Sequence, residues 1–195
     1  MRILIVAAGG AVLGLALAAA AALAYVRASG LESRSAPGPL ERRVARIARE
    51  WALSAEARNR RSPAAATPET IKEGMTHFAD HCASCHANDG SGNTEMGRGL
   101  HPKAPDMRLP ATQQLSDGEL FWVIENGIRF TGMPAWSTGT AAGEASSWHL
   151  VQFIRHLPAL APDEIDTMKR LNPRSPEDVR QEIAEEQFLN EGAQQ

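Results

Sequence analysis

Two cysteines, Cys82 and Cys85, are all that this 195-residue chain contains, and it has only one tyrosine. So few cysteines exclude a disulfide-stapled scaffold and an all-cysteine zinc site. No stretch alternates apolar and polar residues between turn signals, which excludes a substantial sheet. No face interleaves basic residues with aromatics, which argues against a nucleic-acid partner. No segment repeats, and no cysteine follows the N-terminal apolar run to carry a lipid.

What is present is unevenly distributed. The formal net charge of −3 hides a basic neck, since nine arginines face four acids from Arg27 to Arg61. Ten acids then face six bases from Pro68 to Pro158, and nine face four from Ala159 onward. With 43% hydrophobic residues the chain supports one modest core with extensions. Four regions follow: 1–27, an anchor or signal segment; 28–67, a linker with a basic amphipathic helix; 68–158, the main domain; and 159–195, an acidic helical extension.

Between Arg2 and Arg27 there is no charge, and Ile3 to Val26 is long enough to cross a hydrocarbon core that needs about 20 residues. The run reads as an uncleaved anchor in contact with membrane lipid. Ala22-Leu23-Ala24 also fits a signal-cleavage pattern, so a removed signal is the alternative. A buried alanine-rich core helix is the plain structural reading. Arginines beyond the run favour a cytoplasmic C-terminal side.

After a Ser/Pro/Gly linker, PLERRVARIAREWAL places Leu40, Val44, Ile47 and Trp51 on one helical stripe, with Arg42, Arg43, Arg46 and Arg49 elsewhere on the helix. Two placements fit it equally: flat on anionic lipid, or covering one side of the main domain. RNRRSPAAATP reads as a loop.

The main domain reads as short helices joined by glycine- and proline-rich loops. Thr67-Pro68 opens a helix on which Ile71, Met75 and Phe78 lead towards Cys82. SDGELFWVIENG opens with a Ser116/Glu119 capping box and stops at Gly127. SSWHLVQFIRHLP offers Trp148, Val151, Ile154 and Leu157 as a core face, and SPEDVRQEIAEEQFL reads as an acidic C-terminal helix. The expected fold is therefore all-α.

The run DHCASCHAND carries a C-x-x-C-H motif. A c-type haem needs two thiols at this spacing for its two thioethers and an adjacent imidazole for its iron. Zinc would need further ligands, with His77, His81 or His101 the available histidines but at no recognised spacing. A thioredoxin-like pair would need a βαβ context, and a plain disulfide is a third rival. In IRFTGMPAW, Met133 lies between a glycine and a proline, without the helical spacing of a core methionine, and is the candidate sixth ligand. Met75, Met96, Met107 and Met168 read as packing residues, and His77, His81, His101, His149 and His156 as surface or packed side chains. The glycines of GSGNTEMG lack the strand and lysine of a phosphate loop, and Asp117 and Glu119 read as cap residues.

Together, a helix bearing Gly74 and Phe78, the C-x-x-C-H, a G-M-P methionine and a final aromatic-bearing helix resemble class I c-type cytochromes. They resemble in particular the membrane-anchored monohaem carriers of bacterial respiratory chains. The resemblance covers roughly Pro68 to Pro158. It implies a cytochrome c-like helical domain with one haem c held covalently by Cys82 and Cys85, His86 as proximal iron ligand and Met133 as distal ligand. It implies that Gly74 meets Trp148 or Phe153 where the first and last helices cross. It also implies that a proline-loop carbonyl, from Pro102 or Pro105, orients His86. Ala87 departs from the pattern, since many members have glycine there. Since such proteins mature outside the cytoplasmic membrane, the domain is expected in the periplasm, against the arginine count.

The functional expectation is single-electron transfer between membrane-bound redox donor and acceptor proteins, without catalysis by this chain. The alternatives are a haem enzyme or gas or peroxide sensor with an open distal site, or a cytochrome subunit of an oxidase or dehydrogenase complex.

Overall fold

The computed structural model describes residues 2–30, 32–33, 35–63, 65–174, 178, 180–181 and 183–184. It divides into two units, residues 1–35 and 36–195. The first is a single helix, α1 (Arg2–Ser29). Within it Gly9–Ala28 has a mean hydropathy of 2.0, long and apolar enough to cross a membrane.

The second unit is helical throughout, with no strand among the described residues. Its elements are α2 (Pro39–Ala52), α3 (Ala55–Asn59), α4 (Pro68–His77), a π-turn (Phe78–Cys82), α5 (Ala83–His86), α6 (Glu95–Gly99) and α7 (Pro110–Gln113), followed by α8 (Asp117–Asn126), α9 (Ala141–His156), a 3₁₀ turn (Leu157–Ala159) and α10 (Pro162–Leu171). The caps are those that the sequence announces. Thr67 Oγ1 accepts from Thr70 N and Thr70 Oγ1 from Thr67 N at the start of α4. Ser116 and Glu119 exchange the same pair of bonds at the start of α8. Helix α9 begins five residues earlier than the SSWHL reading, because Thr140 Oγ1 accepts from Gly143 N and caps it.

The core forms where α4 crosses α9. Phe78 and Phe153 are fully buried with ring centroids 5.1 Å apart, and Phe121 stacks on buried Trp148 at 4.1 Å. Each of these side chains contributes about 1.5–3 kcal/mol by leaving water. Gly74 makes the close crossing possible: a Cβ there would overlap the His149 carbonyl and lie 2.9 Å from Phe153 Cβ. Of the two expected aromatic partners, Phe153 is the one that Gly74 meets.

Two segments outside the expected haem region also join this core. Residues 53–60 are not a free loop. Leu53 is buried, Arg58 offers its carbonyl to Ser116 Oγ at 2.8 Å, and the Arg60 guanidinium lies 4.4 Å from the Phe121 ring centroid while pairing with Glu144. At the other end, α10 buries Met168 completely against the same cluster. Most of the SPEDVRQEIAEEQFL segment, including Ser175 and Pro176, lies outside the described residues, and the described positions within it are helical.

Candidate haem site

Helix α4 delivers the C-x-x-C-H segment through the π-turn, an irregularity common at functional sites. Cys82 closes that turn and Cys85 lies within α5, three residues on. Both thiols are free. Burial, then the neighbouring Cys85, pushes the Cys82 thiol up to about 12. A thiol held neutral in this way is a poor nucleophile, which is the opposite of what dithiol redox chemistry requires.

His86 ends α5 with 7% of its surface exposed. Burial pushes its pKa down to about 4, against the upward pull of the Pro105 carbonyl. The imidazole is therefore neutral at physiological pH, the form that ligates metal. Its Nδ1 is buried and closes no well-formed hydrogen bond, so the Pro105 carbonyl is a loose partner. Between Pro102 and Pro105, Pro105 is the proline whose carbonyl acts on the ring.

The loop that carries Pro105 is folded back by backbone contacts. Gly92 N donates to the His86 carbonyl at 2.8 Å, and Met107 N to the Gly90 carbonyl at 2.8 Å. Gly92 has φ +70° and lies so close to the loop that a Cβ would overlap the Ala104 carbonyl and stand 3.1 Å from that of Pro105. This explains two glycines of GSGNTEMG, Gly92 and Gly97, which let backbone segments meet; Gly90 instead makes room for the Leu157 side chain. Arg108 then locks the loop, donating to both Asp106 oxygens at 2.9 and 2.7 Å and to Asp89 Oδ2 at 3.0 Å. Hydrogen bonding by Arg108 holds the Asp106 carboxyl below its ordinary value. Sequence reasoning missed Arg108 as a positioning residue. The trace it left is a pair of Asx turns, at Asp89-x-Ser91 and Asp106-x-Arg108.

Ala87, directly after the histidine, adopts φ 61°, ψ 158°. That region is essentially reserved for glycine and costs a residue with a Cβ about 1–3 kcal/mol. The departure from the family pattern is thus a strained joint as well as a local turn.

Met133 is half-buried in the loop after α8. Its N–H donates to Thr131 Oγ1 and its carbonyl accepts from Ile128 N, both at 3.1 Å. Phe130, at φ 62° and 94% exposed, forms the tip of this turn. Gly132 packs so close to Leu100 that a Cβ would overlap the leucine side chain, and Trp136, three residues beyond Met133, meets His81 edge-on at 5.3 Å. Cys82, Cys85 and His86 are gathered by adjacency, and the loop of Met133 reaches the same segment through Trp136.

The other histidines are engaged elsewhere. His77 stacks on His81 at 4.7 Å, His81 pairs with Asp80, His101 with Glu41, His149 with Glu73 and His156 with Glu164. Among the described residues no three His, Cys, Asp or Glu side chains are grouped so as to hold a metal ion. Asp117 pairs with Arg155 of α9 at 2.8 Å and leaves the cap to Ser116 and Glu119. Two free thiols three residues apart and a buried, neutral imidazole are a donor set that fits covalent haem attachment and a bond to its iron.

Comparison with known proteins gives the same reading. Residues 69–154 match the family described as cytochrome c oxidase, cbb3-type, subunit III. A segment of 70 residues is 50% identical to the Cbb3-type cytochrome c oxidase subunit FixP of Sinorhizobium medicae (strain WSM419), covering 35% of this chain and 22% of that protein. The chain thus spans less than a quarter of the length of the curated relative it matches. The matched residues 69–154 include Cys82, Cys85, His86 and Met133.

Proposed function

We propose that this chain is a membrane-associated electron-transfer cytochrome and serves as a redox subunit of an oxidase-type complex. Haem c would be held by thioethers to Cys82 and Cys85, with His86 and Met133 as axial ligands. When bound, the haem iron supplies a one-electron couple. His86 contributes a neutral nitrogen, aimed by the Pro105 carbonyl and kept from water by Phe78 and its neighbours. Met133 contributes a soft sulfur on a turn stiffened by Pro134 and by the bond to Thr131, and such a ligand raises the potential. If His86 and Met133 both held the iron, the protein would leave no place on it for substrate, which supports transfer rather than catalysis.

The observation that carries this reading is His86, buried, neutral and positioned by a loop that Arg108 locks. The name of the similar protein, an oxidase subunit, favours a place in a complex over a free carrier. We further propose that the domain faces the periplasm, where haem of this type is attached, and that donor and acceptor are membrane-bound redox proteins.

The test is the visible spectrum of protein made in a host that attaches c-type haem. A low-spin ferrous spectrum and the weak far-red band of sulfur bound to ferric iron are expected, and that band should vanish in Met133→Ala. A high-spin spectrum that binds carbon monoxide readily would replace this reading with an enzyme or sensor. Absence of covalent haem on a folded product would overturn it. Topology is tested by a reporter fused after Gln195, whose activity only in the cytoplasm would overturn the periplasmic assignment.

A further inference from the structure

Helix α2 has an apolar stripe with nothing on it. Leu40, Val44, Ile47 and Trp51 are 67%, 57%, 41% and 87% exposed, and the helix buries none of its residues. At about 100° per residue these four fall within a sector of about 60°. The sequence allowed this stripe to cover the main domain, and it does not. Where α2 touches the domain it uses other positions. Glu41 Oε1 lies 2.8 Å from His101 Nε2, the Glu50 carbonyl accepts from Arg58, and the chain dives into the core only at Leu53, past the end of the helix.

An apolar stripe with tryptophan, on a helix bearing four arginines, is the composition of a helix that lies in a membrane interface. The chain itself restricts what can cover it. Only residues 30–38 separate the end of α1 from the start of α2. Fully extended, these nine residues reach about 30 Å, so α2 cannot leave the neighbourhood of the surface in which α1 is embedded. The basic balance of the neck, nine arginines to four acids, complements anionic headgroups.

We infer that α2 docks on the membrane surface, seating Leu40, Val44, Ile47 and Trp51 among anionic phospholipids while its arginines engage the headgroups. The inference rests on α1 being embedded in that membrane. The chain then meets the bilayer twice, once across it and once along it.

The test uses the full-length, haem-loaded chain in lipid nanodiscs, of phosphatidylcholine alone or of an equal mixture with phosphatidylglycerol. A lone helix of 14 residues is marginal in water, so amides of 39–52 exchange rapidly unless the helix is docked. Exchange there should slow by about tenfold or more in the anionic discs. Replacing Arg42, Arg43, Arg46 and Arg49 by glutamine, or Val44 and Ile47 by glutamate, should abolish the slowing. Five of these side chains are exposed, Arg49 is half-buried, and none belongs to the hydrophobic core, so these variants keep the folded domain. A photoreactive benzoylphenylalanine at position 51 should acquire the mass of a phospholipid. Equal exchange in both kinds of disc, or crosslinking in native membranes to a protein and never to lipid, would overturn the inference. Failure of the anchor reading would look different: the chain would not enter the discs at all.

Discussion

Gly74 on α4 packs directly against the His149 carbonyl on α9, with Phe153 Cβ alongside, so two helix backbones touch at the one place where neither has a side chain between them. Gly74→Ala should gain about 1 kcal/mol of helix propensity. It should lose about 3 kcal/mol to the overlap, because backbone atoms cannot rotate away as a side chain can. The expected result is a net loss of stability and a thermal midpoint lower by about 10 °C. An unchanged midpoint would mean that the crossing is looser than described.

Ala87 predicts the opposite sign. Its φ of 61° and ψ of 158° suit glycine, and relief of strain of about 1–3 kcal/mol outweighs the entropy of about 1 kcal/mol that glycine forfeits on folding. Ala87→Gly should therefore raise the unfolding midpoint in denaturant without altering the visible spectrum. A lower midpoint would refute the strain.

The neck should loosen when its staple is cut. Arg60 over Phe121 is worth about 1 kcal/mol as a cation–π contact, while the half-exposed pair with Glu144 adds little. In Arg60→Ala, cleavage after Glu56 by a glutamate-specific protease should accelerate by about fivefold. Arg60→Lys should behave similarly, because an ammonium lacks the planar face that stacks on the ring. No change in either variant would show that the neck is held by other contacts.

Glu164 sets an acid limit. Burial opposes its charge, but the Ala161 N–H at 2.8 Å and His156 hold its carboxyl below 4.5. The folded pKa is depressed, so the unfolded chain binds more protons across the interval and stability rises with pH there. This contribution is complete above about pH 4.5 and disappears as pH falls through the lower folded value. Denaturant midpoints of Glu164→Gln should fall less between pH 5 and 3 than those of the parent chain, at about the pKa range of carboxylates. Parallel pH profiles would exclude the coupling.

The site was more legible than its supports. C-x-x-C-H and the G-M-P methionine are local signals, because adjacency alone brings Cys82, Cys85 and His86 together. The N-cap at Thr67 and the capping box at Ser116 are equally local, and both appear as read, with Thr70 adding a reciprocal bond at the first. What the sequence concealed depends on distant partners. Nothing near Arg60 announces that Phe121, 61 positions later, will receive it. Helix α10 did carry signs, with Pro162 at its first position, Asp163 and Glu164 in its first turn and Lys169 and Arg170 in its last. Yet Met168 makes it part of the core, and that follows only once α4 and the π-turn are in place. The choice of Pro105 over Pro102 was hidden for the same reason: it follows from how the loop folds back on Gly90 and Gly92, not from spacing.

Stapling the neck to the domain shortens the leash. If residues 53–60 swung freely, the domain would explore a thick shell of solution above the membrane. With them fixed, and with only nine residues between α1 and α2, the proposed membrane-anchored subunit would have a leash of about 30 Å, and its search for a partner would collapse towards two dimensions. A short tether holds its cargo at an effective concentration of about the millimolar range. For the proposed redox subunit, a partner in the same complex would then be met without a long search, and the contact that passes the electron would not need to be tight.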